Sequence, residues 1–171
     1  MNLLKVIILG IVQGITEFLP VSSSGHLVIV QHFFNIQEGL TLDVFLHFGT
    51  LLAVVVVYWD DIIGMITFKP EYRKLSYYVI LGSVPAGVIG ILFKDLFEKL
   101  FSTLTVVGFA LLVTGLLLWL SDRIAIEERS LDDMNISDVI VVGFAQAFAI
   151  IPGISRSGST IVGGLFKGLD R

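Results

Sequence analysis

Residues 103–120 read TLTVVGFALLVTGLLLWL, an apolar run that contains no charged side chain. A helix of about 20 such residues crosses the ~30 Å hydrocarbon layer of a bilayer. Three more blocks of the chain are similarly apolar and long enough to span, at 42–59, 76–93 and 136–151. The whole chain is 55% hydrophobic and 15% charged, with a mean hydropathy of +0.91, which is too apolar for a water-soluble globule. We therefore predict an all-α, polytopic integral membrane helix bundle, a single domain over residues 1–171.

The scarcity of charged residues excludes several classes of function. The chain has 11 Lys and Arg against 15 Asp and Glu, a net charge of −4, and its basic residues are too scattered to form a binding face for nucleic acid. It has no cysteine, so a disulfide framework and a thiolate nucleophile are excluded. Its three histidines lack the spacing of a zinc protease. Serine, carboxylate, histidine and arginine side chains are left to carry any chemistry.

Two short polar breaks interrupt the apolar sequence, PVSSSG at 20–25 and PGISRSG at 152–158. Backbone polar groups in lipid need internal partners, so such breaks are tolerated only where protein or a water-filled cavity surrounds them. We expect a broken or re-entrant helix at each break, with a cavity between them. The stretch before the first break could also be a signal peptide. Because Gln13 and Glu17 interrupt its apolar run, a segment of the mature protein is favoured.

The two breaks resemble copies of one motif. A Gly-x-x-Gln segment, a proline and a Ser-x-Ser-Gly segment recur in the same order, with one residue of difference between glutamine and proline. The copies would occupy approximately residues 1–60 and 136–171, the second incomplete. Three apolar blocks lie between the motifs, and an odd number of spans predicts an inverted repeat whose interruptions converge on a binding site. A chance similarity of Gly- and Ser-rich turns is the alternative.

The aligned positions differ in a way that indicates an anion site. Ser23 in the first copy corresponds to Arg156 in the second. A guanidinium is always charged and suits the oxygens of phosphate, and a serine-rich helix start binds phosphate through backbone N–H groups and the helix dipole. The alternative is a set of ordinary capping serines and an arginine that reaches the lipid headgroups. Besides Arg156, the predicted anion-binding group contains Ser22, Ser24, Ser155, Ser157 and Gly158.

Catalytic candidates cluster around the first break. Gln13 and Glu17 are four residues apart and therefore share one face of a helix. An ionisable residue at membrane depth is costly, so Glu17 is a functional candidate, the alternative being an interfacial residue at a helix end. His26 comes three residues after Ser23, and we expect its imidazole to meet that hydroxyl on the first helical turn.

The other two histidines have weaker signals. Asp43 and His47 are four residues apart, and the pair either supports the site or simply ends a helix. His32 has no obvious partner in the sequence and is expected at the membrane interface.

The segments around both breaks resemble the signatures of a known family. Residues 13–26, QGITEFLPVSSSGH, and 152–160, PGISRSGST, are similar to the two signature segments of the undecaprenyl-diphosphate phosphatase family, which is associated with bacitracin resistance. LDVFLHFGT at 42–50 and GSVPA at 82–86 also resemble that family, so the similarity covers essentially the whole chain. It implies an enzyme that removes the terminal phosphate from a C55 prenyl diphosphate and returns the monophosphate carrier for cell-wall synthesis. Family members continue with further membrane helices, and we expect this chain to be a fragment or a short relative.

The resemblance also implies roles for the candidate residues. Ser23 would be the nucleophile, and His26 would take its proton or protonate the leaving phosphate. Glu17 would orient His26, bind the metal or activate water. The family position of Gln13 varies between Glu and Gln, and a glutamine cannot serve as an acid or an anionic metal ligand, so more of the chemistry falls to Glu17. Substrate binding falls to Gln13 and to the anion-binding group named above, with Arg156 as a catalytic charge. A phosphoserine intermediate and direct attack by water both stay open.

Cofactor, location and partners follow from the same resemblance. It implies a divalent cation, Mg²⁺ or Ca²⁺, with Glu17 as its ligand, and a multi-pass protein of the plasma membrane whose site faces outward. The basic loops near 60–75 and 121–135 would then be cytoplasmic. Expected partners are the polyprenyl diphosphate substrate and membrane lipids, with a homodimer left open. A polyprenyl-phosphate flippase is the alternative function, because inverted repeats with broken helices are a transporter design.

Overall fold

The computed structural model describes residues 2–36, 39–101, 103–124 and 129–170. These ranges contain helices and no β-strand, which confirms the predicted all-α class. A 3₁₀ turn at Leu131–Asp133 precedes the helix that begins at Ile136. The helices of the described residues are α1 Leu3–Thr16, α2 Ser23–Phe33, α3 Gly39–Val57, α4 Trp59–Ile66, α5 Arg73–Leu92, α6 Lys94–Phe101, α7 Leu104–Ile124, α8 Ile136–Phe148 and α9 Arg156–Phe166.

Two of the described helices are long and apolar enough to cross a membrane, namely α5 and the Leu104–Arg123 part of α7. The predicted block 42–59 instead runs through α3 into α4, where the helix axis bends by 87°, so these two helices make a third span only if they count as one. The block 136–151 does not form a continuous spanning helix. Its helix α8 has 13 residues and ends at Phe148, because the chain then turns ahead of Pro152, which has no N–H to extend a helix.

The apolar surface of the bundle faces outward rather than into a large core. Phe45, Ile91 and Leu112 are 70%, 81% and 71% exposed, whereas only small groups of side chains such as Leu9 and Leu27 are fully buried. Lipid tails are as apolar as leucine, so a helix bundle in a bilayer has no reason to hide such residues. The exposed apolar side chains therefore fit the membrane architecture that the composition predicts.

Gly143 lets α8 approach α5 closely. A Cβ added at Gly143 would lie 2.7 Å from the carbonyl oxygen of Gly82. This contact is too short for any side chain, so only glycine fits at this position. Small residues at helix crossings allow this kind of close backbone contact in membrane proteins. The crossing places the end of α8, and the second break that follows it, against α5.

A charge cluster around one buried carboxylate ties the start of α8 to the end of α9. Asp138 is fully buried, and its carboxylate accepts hydrogen bonds from Arg129 at 2.6 and 3.3 Å. Arg129 also donates to the carbonyl oxygen of Lys167 at 2.8 Å, and the ammonium of Lys167 lies 3.7 Å from Asp138. The hydrogen bonds from Arg129 hold the pKa of Asp138 below its usual range. The cluster lies outside the two candidate spans and anchors the helices that flank the second break.

Candidate functional site

Both breaks open on one cavity of about 1080 Å³. The first break, between α1 and α2, contributes Glu17 and residues 22–24 to its lining, and the second, between α8 and α9, contributes residues 155–157. Helices α3 and α5 form the facing walls. The two polar interruptions, whose prolines are 132 positions apart in sequence, therefore border the same space, as their similarity predicted.

Glu17 is the centre of a hydrogen-bond network at the end of α1. The Oγ hydroxyl of Ser23 donates to Glu17 Oε2. Gln13 Nε2 donates to the same oxygen at 3.0 Å and lies 3.3 Å from Thr50 Oγ1 on α3. The side chain of Glu17 is 27% exposed, so a carboxylate held by these donors still borders the cavity. A serine hydroxyl is thereby aligned on a carboxylate that can accept its proton.

The starts of α2 and α9 are capped in the same way. Ser22 Oγ accepts a hydrogen bond from the N–H of Gly25 at 3.3 Å, and Ser155 Oγ accepts one from the N–H of Gly158 at 3.1 Å. In each copy the capping hydroxyl lies 3.3 Å from the hydroxyl two residues later. Two helix N-termini, each with a partial positive charge, therefore border one cavity, an arrangement that favours a bound anion.

The two breaks also touch each other directly. Ser157 Oγ donates to the carbonyl oxygen of Leu19 at 3.3 Å, and a Cβ at Gly158 would lie 3.2 Å from the carbonyl oxygen of Pro20. A Cβ at Gly25 would lie 3.0 Å from the Cα of Gly153. The convergence of the two motifs is thus a backbone contact that their small residues permit, while the inverted relationship of the two copies stays a prediction.

The second break is pressed against α7. Gly153 has a φ of +94°, and a Cβ there would lie 2.6 Å from the carbonyl oxygen of Val107 and 2.7 Å from the Cβ of Ala110. Glycine is required on both counts, since other residues rarely adopt this backbone conformation and none would fit the space. Thr114 of α7, which the sequence did not single out, hydrogen-bonds to the same turn.

Most of the predicted site residues line the cavity, and three do not. Gln13 is buried behind Glu17, Gly158 packs inside the first turn of α9, and His26 is not part of the lining. The residues that line it are Glu17, Ser22, Ser23, Ser24, Ser155, Arg156 and Ser157.

The predicted contact between His26 and Ser23 is wrong. His26 Nδ1 donates instead to the carbonyl oxygen of Ser22 at 2.8 Å, and the hydroxyl of Ser23 is bonded to Glu17. The reason is local. On the first helical turn, Nδ1 of His26 lies within hydrogen-bond distance of the backbone carbonyl four residues earlier, so the ring bonds to the backbone and not to the Ser23 side chain. A catalytic role for His26 stays a prediction.

A different histidine lies beside Glu17. His47 Nε2 is 3.6 Å from Glu17 Oε2, and its Nδ1 donates to the carbonyl oxygen of Asp43 at 2.7 Å. Asp43 is buried and accepts a hydrogen bond from Gln31 Nε2 at 2.5 Å. Both Asp43 and His47 line the cavity, so the pair supports the site rather than merely ending a helix. Their spacing of four residues was the only sequence signal for this.

The residues that line the cavity fit a divalent cation only if a bound substrate supplies part of its ligands, as is common for Mg²⁺. Within the described residues no group of three or more His, Asp or Glu side chains could hold a metal ion. Mg²⁺ is commonly held by one or two carboxylates together with the phosphates of a substrate, and Glu17 and Asp43 are carboxylates that line the cavity. The described residues leave Gln13 Oε1 buried without a hydrogen-bond partner. A cation site at Glu17 would therefore need oxygen ligands from a bound phosphate.

Comparison with known proteins supplies the family. The family described as "Bacitracin resistance protein BacA" matches residues 6–171. A protein of Halothermothrix orenii named "Undecaprenyl-diphosphatase" is 54% identical over 172 residues, which cover 100% of this chain and 66% of that protein. Proteins of the same name from Alkaliphilus metalliredigens and Moorella thermoacetica are 46% and 44% identical over the whole chain, which covers 69% and 68% of their lengths. The chain thus spans about two thirds of the length of the curated relatives it matches.

Proposed function

The chain belongs to the bacitracin resistance protein BacA family, and on that premise we propose that it hydrolyses undecaprenyl diphosphate to undecaprenyl phosphate and inorganic phosphate. One structural observation supports this proposal independently of the names of the relatives. The hydroxyl of Ser23 is hydrogen-bonded to the carboxylate of Glu17 on a cavity that Arg156 also lines. A nucleophile, a proton acceptor and a fixed positive charge around one cavity are what transfer of a phosphoryl group requires.

Arg156 and the two capped helix starts would bind the diphosphate. The guanidinium of Arg156 can make two parallel hydrogen bonds to phosphate oxygens. The N-termini of α2 and α9 add their partial positive charges from two directions. Charge neutralisation and positioning supply most of the catalysis in phosphoryl transfer, so this half of the site matters as much as the nucleophile.

The chemical step would begin at Ser23. Its Oγ forms a bond to the terminal phosphorus while the bond from that phosphorus to the bridging oxygen breaks, and its proton passes to Glu17 Oε2. The leaving group is the prenyl monophosphate. Water then attacks the phosphorus of the phosphoserine while the bond from that phosphorus to Ser23 Oγ breaks. The Oγ takes back the proton that Glu17 holds, and both protons of the water stay with the released inorganic phosphate, so the Ser23 hydroxyl and the Glu17 carboxylate are restored.

Two groups would assist. His26 donates its Nδ1–H to Ser22, so any exchange of a proton with the leaving phosphate would use Nε2. A divalent cation held by Glu17 and the phosphate oxygens would neutralise charge on the diphosphate when bound.

The biological setting is proposed on the same footing. A membrane enzyme with this activity would return the lipid carrier for the synthesis of cell-wall polymers, and depletion of the diphosphate would confer resistance to bacitracin. We place the protein in the plasma membrane with the cavity open to the outer side, where the carrier is released.

Release of phosphate from a long-chain prenyl diphosphate by the purified protein in detergent tests the proposal. Arg156→Ala and Glu17→Ala should abolish release, whereas Arg73→Ala, which changes an exposed arginine at the start of α5, should leave it unchanged. Wild-type protein that releases no phosphate but moves lipid phosphate between the leaflets of a vesicle would overturn hydrolysis in favour of the flippase. Phosphate release that survives both site substitutions would show that the chemistry lies elsewhere.

A further inference from the structure

Thr114 is a buried hydroxyl in the middle of α7, the more apolar of the two candidate spans among the described residues. Its side chain is 5% exposed. Its Oγ1 donates a hydrogen bond to the carbonyl oxygen of Gly153 at 2.9 Å and accepts one from the N–H of Ser155 at 3.1 Å. Both capacities of the hydroxyl are therefore used on the turn that leads into α9.

This pattern differs from that of several other hydroxyls on the helices of this chain. Thr16, Ser83 and Thr160 each donate to the carbonyl oxygen four residues earlier on the chain, which is the usual way in which such residues are satisfied in apolar surroundings. The donor bond of Thr114 instead crosses to another segment, 39 residues away. Its hydrogen bonds thus link α7 to another segment of the chain and do not stabilise its own helix.

The turn that Thr114 holds carries the cationic half of the site. Ser155 is the N-cap of α9, and Arg156 is the first residue of that helix. The two bonds from Thr114 flank Ile154 and fix the backbone immediately before Arg156. Backbone groups at this turn have few other partners in an apolar bundle, so each bond also avoids a costly unpaired group.

Helix α7 also supports the first break. A Cβ at Gly25 would lie 2.9 Å from Leu111 Cδ2, only one turn along α7 from Thr114. Gly153 packs on Val107 and Ala110 of the same helix. Both breaks therefore pack against one face of α7, and this shared contact fixes their positions relative to each other.

We propose that Thr114 is a positioning residue of the site, which orients the 153–155 turn so that Arg156 engages the same diphosphate as Ser23. The inference rests on the proposed hydrolysis. It assigns Thr114 no contact with the substrate, because Thr114 does not line the cavity. Its effect would pass through the backbone of Gly153 and Ser155.

Thr114→Val tests this, because valine keeps the shape of threonine and removes both hydrogen bonds. We expect kcat for phosphate release to fall by about 10- to 100-fold, with KM for the lipid within about threefold, since misplacement of a reacting group by about 1 Å costs rate rather than binding of the tail. Thr114→Ser restores the hydroxyl and should recover kcat to within about threefold. Thr105→Val makes the same change at an exposed position of α7 and should have no effect.

Amide hydrogen exchange separates a failure of this inference from a failure of the proposed function. In Thr114→Val, peptides that cover 152–160 should exchange faster than in the wild type, with no change in peptides from α5. Unchanged exchange, or a wild-type kcat in Thr114→Val beside an inactive Arg156→Ala, would overturn the role of Thr114. If the wild-type protein releases no phosphate, the hydrolysis is overturned, and so is an orienting role of Thr114 in it.

Discussion

The hydroxyl of Ser23, the first residue of α2, donates a hydrogen bond to the carboxylate of Glu17, the C-cap residue that follows α1. They are six positions apart, and the helix is interrupted between them by a stretch that contains Pro20 and ends at Ser22, whose φ is positive. The break in the helix is therefore what brings the two side chains together. An unbroken helix would place residues six apart on different faces.

Ser23→Ala removes the proposed nucleophile, so phosphate release should fall by on the order of 10³-fold or more. Labelled phosphate should be trapped on Ser23 when the wild-type protein is quenched with acid during turnover. Ser83→Ala, at an exposed serine of α5, is the matched control and should keep full activity. Full activity of Ser23→Ala would instead favour direct attack by water.

Glu17→Gln keeps an acceptor for the Ser23 hydroxyl but removes the negative charge. The proton of Ser23 then has no carboxylate to go to, and kcat should fall by about 10²- to 10⁴-fold, the range of a lost general base. The measurement is kcat for phosphate release, with binding of the substrate followed separately. Retention of wild-type kcat would exclude Glu17 as the proton acceptor.

Arg156→Lys preserves a positive charge but loses the planar pair of donors. An ammonium cannot make the two parallel hydrogen bonds that a guanidinium makes to phosphate, so we expect kcat/KM to fall by about 10- to 100-fold, while Arg156→Ala abolishes activity. Steady-state kinetics with a short-chain and a long-chain prenyl diphosphate measure this. Equal losses for both chain lengths are expected, because the arginine acts on the headgroup, and a loss limited to one length would contradict that assignment.

The Arg129–Asp138 pair should make stability depend on pH. Since hydrogen bonds from Arg129 lower the pKa of Asp138 in the folded protein, the pair stabilises the fold above the carboxyl's unfolded pKa of about 3.9 and loses this effect as the pH falls through the lower, folded pKa. Asp138→Asn should reduce Tm at pH 7 by about 4 °C or more and flatten the acid limb of the Tm profile. An unchanged acid limb in this variant would show that other carboxyls dominate acid unfolding.

Local features of the chain made much of the fold predictable from sequence. An apolar run such as 103–120 has to form a helix in lipid, whatever surrounds it, because its backbone groups have no other partners. The polar breaks were equally visible, since the serines, prolines and glycines at 20–25 and 152–158 do not continue an apolar helix. Glu17, Ser23 and Arg156 could be chosen for the same reason, as polar residues where the sequence should be apolar.

Only the tertiary structure decided which of these residues meet. The sequence favoured His26 as the histidine near Ser23, yet the folded chain bonds His26 to a backbone carbonyl and brings His47 of α3 to 3.6 Å from Glu17. The support that Thr114 gives to the second break has no local signal at all, because a threonine in an apolar span looks the same whether it bonds to its own helix or to another segment. Helix formation and helix breaks depend on neighbours along the chain, whereas these contacts depend on how separate helices pack, and packing is fixed by side chains that are distant in sequence.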